Sequence, residues 1–271
     1  MPRLSGALAT VAVLASVLVG IPEFALAQGF SAYVAPARYE IKATPGETTR
    51  QVLEIHQASQ LPGRFRIYTN DWDFQLKDDA LVFSDALAPD SCRPWVSLER
   101  REVTVPANSR YRFRFEVSPP ADTPPRECRF AIMVEGLEAA TVDQGSFRFP
   151  VAGRLGVIVY VAVGAVEAKL SVANPRVVNQ KGETLPVIDV TNRGNAHGRL
   201  EGFLTGIDAS GKEFELAADD SPVLPGRTRL VGLRRLGEGS AKASQIQYPL
   251  TVKGTLEWGA QREPIELRFV P

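Results

Sequence analysis

Few side chains in this sequence could do chemistry, and their types and spacing favour binding over catalysis. Two cysteines, Cys92 and Cys128, and two histidines, His56 and His197, are present in 271 residues. Two thiolates with no histidine near them do not complete a tetrahedral metal shell. His56 follows a strand-like run, and His197 sits in a Gly/Asn-rich turn. No H-E-x-x-H, no G-x-S-x-G and no phosphate-cradling glycine loop is present. A nucleophile needs a base within hydrogen-bond reach, and no arrangement here implies one. The chain reads as a non-enzyme that uses no cofactor and no metal.

Two charged constellations remain. Asp71, Asp73, Asp78 and Asp79 cluster around a turn. Hard oxygen ligands could converge there on calcium. The glycine and the terminal bidentate carboxylate of a calcium loop are missing, so a solvated hairpin end is the expectation. Arg110, Arg112 and Arg114 alternate with Tyr111, Phe113 and Phe115. Strict alternation buries the aromatics and leaves the arginines wet. Such a row is an ordinary outer sheet face that also guards against edge pairing, rather than a nucleic-acid patch. Lysine plus arginine equals aspartate plus glutamate at 31 each. That balance gives no global attraction to nucleic acid or anionic lipid, so any electrostatic recognition must be local.

The elements that position these residues begin with an export signal at residues 1–27. Arg3 supplies the positive start, Leu4 to Ile21 the apolar run, and Ala25-Leu26-Ala27 the cleavage site, with a mature start at Gln28. The run approaches bilayer-spanning length, which leaves an uncleaved anchor as the alternative. Pro22 and the small-residue site favour cleavage. No later stretch is long and apolar enough to span, so no stable membrane insertion is expected. An exported chain meets an oxidising compartment, and a Cys92–Cys128 disulfide is the default expectation. Two buried free thiols are the alternative. The bridge would contribute about 3–4 kcal/mol in the chain-entropy model.

Beyond the signal, short alternating runs recur between Pro, Gly, Asn and Asp clusters, which is the pattern of a β-sandwich. Apolar residues make up 44% of the chain, enough for a real core. Phe147 to Val163 is the longest β-like stretch. A boundary falls near Gly164-Ala165-Val166-Glu167, after which the pattern starts over. Pro36-Ala37-Arg38, Gly46-Glu47-Thr48 and Val52-Leu53-Glu54-Ile55 are echoed by Pro175-Arg176, Gly182-Glu183-Thr184 and Val187-Ile188-Asp189-Val190. The expectation is an all-β chain of two immunoglobulin-like sandwiches in tandem after a cleaved signal peptide, at 28–163 and 164–271, with related opening hairpins. Chance is the competing account of so short an echo.

The first domain resembles the periplasmic pilus-assembly chaperones, the PapD-like proteins of the chaperone–usher pathway. The residues that carry the resemblance stand in the family's order. They are Pro36 to Ile41 with Pro45-Gly46-Glu47, then Trp72, then Ser91 to Val96, then Val103 to Asn108. Glu127 to Ala131 and Arg154 to Val161 complete the set. The resemblance implies two sandwiches set in an L and a periplasmic location. It also implies donor-strand complementation, in which the chaperone lends its last first-domain strand to an incomplete pilus subunit. The partners implied are a pilus or fimbrial subunit and an outer-membrane usher. A self-capping dimer is compatible with the same reading.

A donor strand needs an exposed edge and apolar residues two apart. Phe147, Phe149, Val151, Leu155 and Val157 share one parity and form the expected donor row, broken at Gly153. Pro150 removes one ladder donor, which agrees with an edge. The alternative is a core strand serving its own domain, favoured for Leu155 to Val161. The resemblance also implies that cleft residues hold the subunit's C-terminal carboxylate. Arg38 matches the family's first-strand arginine. The family's second anchor, a lysine, falls at Val157 or Gly156 depending on alignment, and neither is basic. Arg154 is the neighbouring basic residue and is assigned as the second anchor, since arginine grips a carboxylate with two hydrogen bonds. The rival function is an Ig-like structural or accessory binding protein of the cell envelope with no chaperone cycle, which the missing lysine favours.

Overall fold

Alternation of apolar and polar residues shapes outer strands of the chain, whereas its central strands are nearly continuous apolar runs, as in Phe130 to Val134 and Val157 to Val163. The computed structural model describes residues 31–75, 80–138, 140–144, 147–151, 153–180, 182–237 and 246–271. The expected signal at 1–27 lies outside the described residues, as do Asp78 and Asp79.

The first twelve strands are β1 (Ala32–Ala35), β2 (Arg38–Ala43), β3 (Thr49–Gln57), β4 (Gly63–Phe74), β5 (Leu81–Ser84), β6 (Val96–Leu98), β7 (Glu102–Val105), β8 (Ser109–Val117), β9 (Arg126–Gly136), β10 (Ala140–Gln144), β11 (Phe147–Val151) and β12 (Arg154–Val163). Ten of them form two facing sheets, β1-β3-β8-β6 and β2-β12-β9-β4-β5, with β7 paired to β4, and β10 and β11 form a separate two-stranded ribbon. Strand β8 shows the alternation: Phe113, Phe115 and Val117 point into the core while Arg110, Arg112 and Arg114 on the other face stay exposed. Each such burial is worth about 1.5–3 kcal/mol over leaving the side chain in water. The arginine row is a solvated, ion-paired face. Arg110 and Arg112 lie 3.3 and 4.0 Å from Glu54, and Arg114 lies 3.7 Å from Glu99.

Cys92 and Cys128 form a disulfide across 36 residues, with Cα atoms 5.6 Å apart, inside the core between the sheets. Asp71, from the acidic cluster, accepts hydrogen bonds from Ser91 Oγ at 2.6 Å and from the Ala88 backbone at 2.8 Å. It thereby fixes the loop that delivers Cys92.

The remaining strands are β13 (Leu170–Gln180), β14 (Glu183–Asn192), β15 (Phe203–Ile207), β16 (Glu213–Ala218), β17 (Thr228–Arg235), β18 (Leu250–Trp258) and β19 (Gln261–Phe269). They follow one hydrogen-bonded path, β13-β14-β17-β16-β15-β18-β19, whose two ends lie against each other. Ile188, Val190, Leu204, Leu216, Leu233, Val252 and Phe269 fill the space enclosed. Among the described residues, no strand of this sandwich pairs with a strand of the first. The chain is thus all-β, with two immunoglobulin-like sandwiches in tandem.

Two expectations change in detail. Phe147 to Val163 is not one strand: β11 leaves the main sheet and, among the described residues, pairs only with β10, from Gln144↔Phe147 to Ala140↔Val151. The two Gly-Glu-Thr segments are also not equivalent hairpins. Strands β13 and β14 pair directly, whereas β2 pairs with β12 and β3 pairs with β1 and β8. The first segment therefore crosses between sheets, because the edge beside β12 is there for β2 to take.

Candidate functional site

Strand β12 has two different faces, set by its period-two alternation. Val157, Val159, Val161 and Val163 are fully buried in the core of the first sandwich, and Leu155 packs half-buried against it. Tyr160 and Ala162 face the other way and line a cleft shared with the second sandwich. The strand's hydrogen-bonding partners are also uneven. Strand β9 pairs with its whole length, from Arg154↔Glu135 to Val163↔Arg126. Strand β2 pairs with it only from Ile158↔Arg38 onward. Among the described residues, Arg154 to Val157 therefore have a hydrogen-bonded strand on one side only. The reason is local: before Arg38 the chain turns away through Pro36 into β1, which belongs to the opposite sheet.

Arg38 stands where that open stretch ends and the cleft begins. The cleft has a volume of ≈ 660 Å³. Arg38, Glu40 and Lys42 project into it from alternate positions of β2, and His197, Gly198 and Arg199 come from the turn after β14. Arg38 Nε lies 3.2 Å from Glu40 Oε1, and its Nη1 lies 3.7 Å from Asp220 Oδ2. Arg199 Nη1 donates to the Asp220 carbonyl and lies 3.2 Å from Asp220 Oδ1. The Arg199 Nε and the Trp258 indole N–H, both on residues that line the cleft, are buried without a hydrogen-bond partner among the described residues.

The cleft's floor is a direct joint between the sandwiches. Leu224 of the second is buried against Trp72, Ala131, Met133 and Tyr160 of the first. Beside it, Arg227 Nη2 lies 2.9 Å from Asp73 Oδ2, and the Arg229 guanidinium lies 4.0 Å over the Phe74 ring. Asp73, expected at a solvated hairpin end, thus has an interface partner.

The expected site residues fall in different places. Arg38 lines the cleft. Arg154 does not: it sits four residues before Ile158 on β12, about 13 Å along the strand, opposite Glu135. The Glu135 carboxyl is held below its usual range first by the hydrogen bond from Arg66, and Arg154 adds to this by its charge. Val157 departs from the expected donor row, because its side chain is wholly committed to its own core. Leu155 is partly committed in the same way. Phe147, Phe149 and Val151 lie on β11, with side chains outside the described residues. Pro150 faces Thr141 on this two-stranded ribbon, where a missing N–H costs no ladder bond on the open side.

Val157 is interior, and Gly156 lies beneath Phe83, whose ring a Cβ at Gly156 would strike. Arg199 and Asp220 were not singled out as site residues from sequence. They sit in turns of the second sandwich, and only tertiary contact brings them to Arg38.

No family model matches the sequence, and no curated protein matches it. Several solved structures resemble it. The E. coli chaperone DraB is 14% identical with a TM-score of 0.49, over 89% of this chain and 98% of that one. The YadV chaperone is 12% identical with a TM-score of 0.47, over 88% and 100%. The SafB chaperone, solved in complex with the Salmonella enterica pilin SafA, is 13% identical with a TM-score of 0.45, over 89% and 97%. At these values the likeness does not bear on what this chain binds.

Proposed function

We propose that this protein is an exported, periplasmic chaperone that stabilises pilus or fimbrial subunits by completing their sheet, and hands them to an outer-membrane usher. The observation that carries the reading is the half-paired edge of β12 ending at Arg38. A guest strand laid along Arg154 to Val157 would occupy the line that β2 takes up at Ile158. If it ran in the direction of β12, as β2 does, its C-terminus would arrive at Arg38. A free carboxylate there meets a guanidinium, the strongest donor available for it. Main-chain hydrogen bonds would supply affinity, as in strand addition generally, and β11, which carries the donor row expected at Phe147, Phe149 and Val151, would extend the contact. The carboxylate anchors are then Arg38 and, by position, Arg199. Arg154, at the outer end of the same edge, is placed to meet the guest strand's flank.

The rival reading, an accessory envelope protein without a chaperone cycle, is favoured by one observation. The cleft's lining holds three permanent cations, Arg38, Lys42 and Arg199, against four carboxylates, Glu40, Glu127, Glu167 and Glu201. Co-expression of the mature chain with a candidate subunit separates the two. A chaperone is expected to co-purify with the subunit, and Arg38→Ala to lose it while keeping its fold. Capture that is absent, or indifferent to Arg38→Ala and Arg199→Ala together, favours the accessory protein. The open edge would also be covered in a self-capping dimer, which sedimentation of the free protein would detect.

A further inference from the structure

The carboxylate reading requires a guanidinium with capacity to spare, yet each cleft arginine that could serve already faces a carboxylate of this chain. Asp220 lies between the two, with Oδ2 3.7 Å from Arg38 Nη1 and Oδ1 3.2 Å from Arg199 Nη1. One arginine belongs to the first sandwich and the other to the second, so Asp220 bridges them as a bound carboxylate would. Glu40 takes the remaining side of Arg38 at 3.2 Å.

We infer that Asp220 is an internal stand-in for the ligand, an autoinhibitory carboxylate that fills the Arg38–Arg199 site until a C-terminal carboxylate displaces it. The inference rests on the reading of the cleft given above and adds its regulation. Three features suit a replaceable occupant. The Asp220 side chain is 69% exposed, and exposed ion pairs hold weakly. Its contact to Arg38 is longer than a charge-assisted hydrogen bond. Arg199 also does not depend on the Asp220 carboxylate for its place, because its Nη1 donates to the Asp220 main-chain carbonyl. When the side chain leaves, Arg199 stays aimed at the site, and its buried Nε remains an unused donor. The consequence is a threshold. A peptide amide or an internal loop gains nothing by displacing Asp220, whereas a free chain end exchanges one carboxylate for another without leaving the arginines unpaired.

The test uses the full mature chain and a labelled peptide of alternating valine and threonine, made with a free carboxylate and as the C-terminal amide. Binding of both is measured by fluorescence anisotropy to wild type, Asp220→Asn, Asp220→Ala and Arg38→Ala, each checked for an unchanged thermal midpoint. The free acid is expected to bind wild type more tightly than the amide. Both Asp220 variants are expected to tighten the acid about twofold to fivefold, the range of an exposed ion pair, and to leave the amide unchanged. An acid preference that Arg38→Ala abolishes but the Asp220 variants leave unchanged or weaken would overturn the stand-in while keeping the carboxylate site. Equal binding of acid and amide to every variant would overturn the carboxylate site and the stand-in with it.

Discussion

His197 lies flat on Tyr160, with ring centroids 3.7 Å apart and planes 17° from parallel. The histidine comes from a turn of the second sandwich and the tyrosine from β12 of the first. Its Nδ1 is 2.9 Å from Glu127 Oε2, and its backbone N–H donates to Glu127 Oε1 at 2.8 Å. The His197 and Glu127 side chains are only 9% and 8% exposed. Burial pushes the Tyr160 hydroxyl up to about 12, so the ring stays neutral beside Arg38 and Arg199. One residue thus ties the second sandwich to β9 and β12 at the cleft's floor. The angle between sandwiches, and with it the spacing of Arg38 from Arg199, follows from this joint and from Leu224.

Replacing His197 with alanine should loosen that joint. Glu127 would keep its main-chain donor and lose its side-chain partner, and leaving a buried acceptor short costs about 1–3 kcal/mol. The urea midpoint is expected to fall accordingly, and small-angle scattering to show a broader distribution of dimensions. His197→Asn, which can still donate a hydrogen bond, is expected to recover part of the loss. A midpoint and a scattering curve identical to wild type would remove the latch role.

The disulfide gives a second, independent expectation. Cys92 and Cys128 close a span of 36 residues, for which the chain-entropy model gives about 4 kcal/mol. The paired variant Cys92→Ser/Cys128→Ser should lower the free energy of unfolding by about that amount in urea titration. Reducing agent should destabilise wild type and leave the variant unmoved. The loop anchored by Asp71 delivers Cys92, so Asp71→Asn is expected to slow oxidative refolding without preventing the bridge.

The first sandwich was readable wherever parity is local. Arg110 to Val117 alternates without interruption, and one residue's orientation dictates the next, so its buried and exposed faces follow from the order alone. The cysteine pair was readable because compartment chemistry leaves few alternatives. Parity alone does not say which neighbour claims a face. Val157 and Phe149 share a parity, but the chain breaks at Gly153, so β12 stays in the core sheet and β11 leaves it. The cleft was legible only at Arg38. Arg199 and Asp220 lie in short polar turns, and such turns look alike in sequence whether they face solvent or a second sandwich. Their role is set by Leu224 docking on Trp72 and Tyr160, a contact between residues with no shared pattern. The Gly-Glu-Thr echo misled for the converse reason: Gly46 and Gly182 both adopt positive φ, at 78° and 84°, but a turn residue does not decide whether the flanking strands pair with each other.

Gly156 tests how tightly the Phe83 ring covers β12. An alanine there brings its Cβ into the Phe83 ring, and overpacking of this kind typically costs about 1–3 kcal/mol. Phe83→Ala is expected to relieve it, so that Gly156→Ala in the Phe83→Ala background costs much less than alone. A double-mutant cycle on thermal or urea midpoints reads the coupling directly. Additive effects would mean that Phe83 does not exclude a side chain at this position, and another reason would be needed for the glycine.

Acid stability offers the last test, in the second sandwich and away from the cleft. Asp208 holds the turn between β15 and β16. Its Oδ1 accepts from Ser210 Oγ at 2.6 Å, from the Ser210 backbone at 2.9 Å and from the Lys212 backbone at 3.0 Å, and its Oδ2 accepts from the Gln247 backbone at 3.2 Å. These bonds, that from the Ser210 hydroxyl foremost, hold its carboxyl down at about 2. An aspartate in the unfolded chain titrates near about 3.9. Between those values the unfolded chain takes up a proton that the folded protein refuses. The stabilisation is therefore fully present above about pH 3.9 and is lost as the pH falls through about 2. Thermal midpoints of wild type and Asp208→Asn should differ most near neutral pH and converge across that window. A gap of constant width from neutral pH down to about pH 2 would mean that the charge of Asp208 contributes nothing, and that the substitution acts only through the shape of the turn.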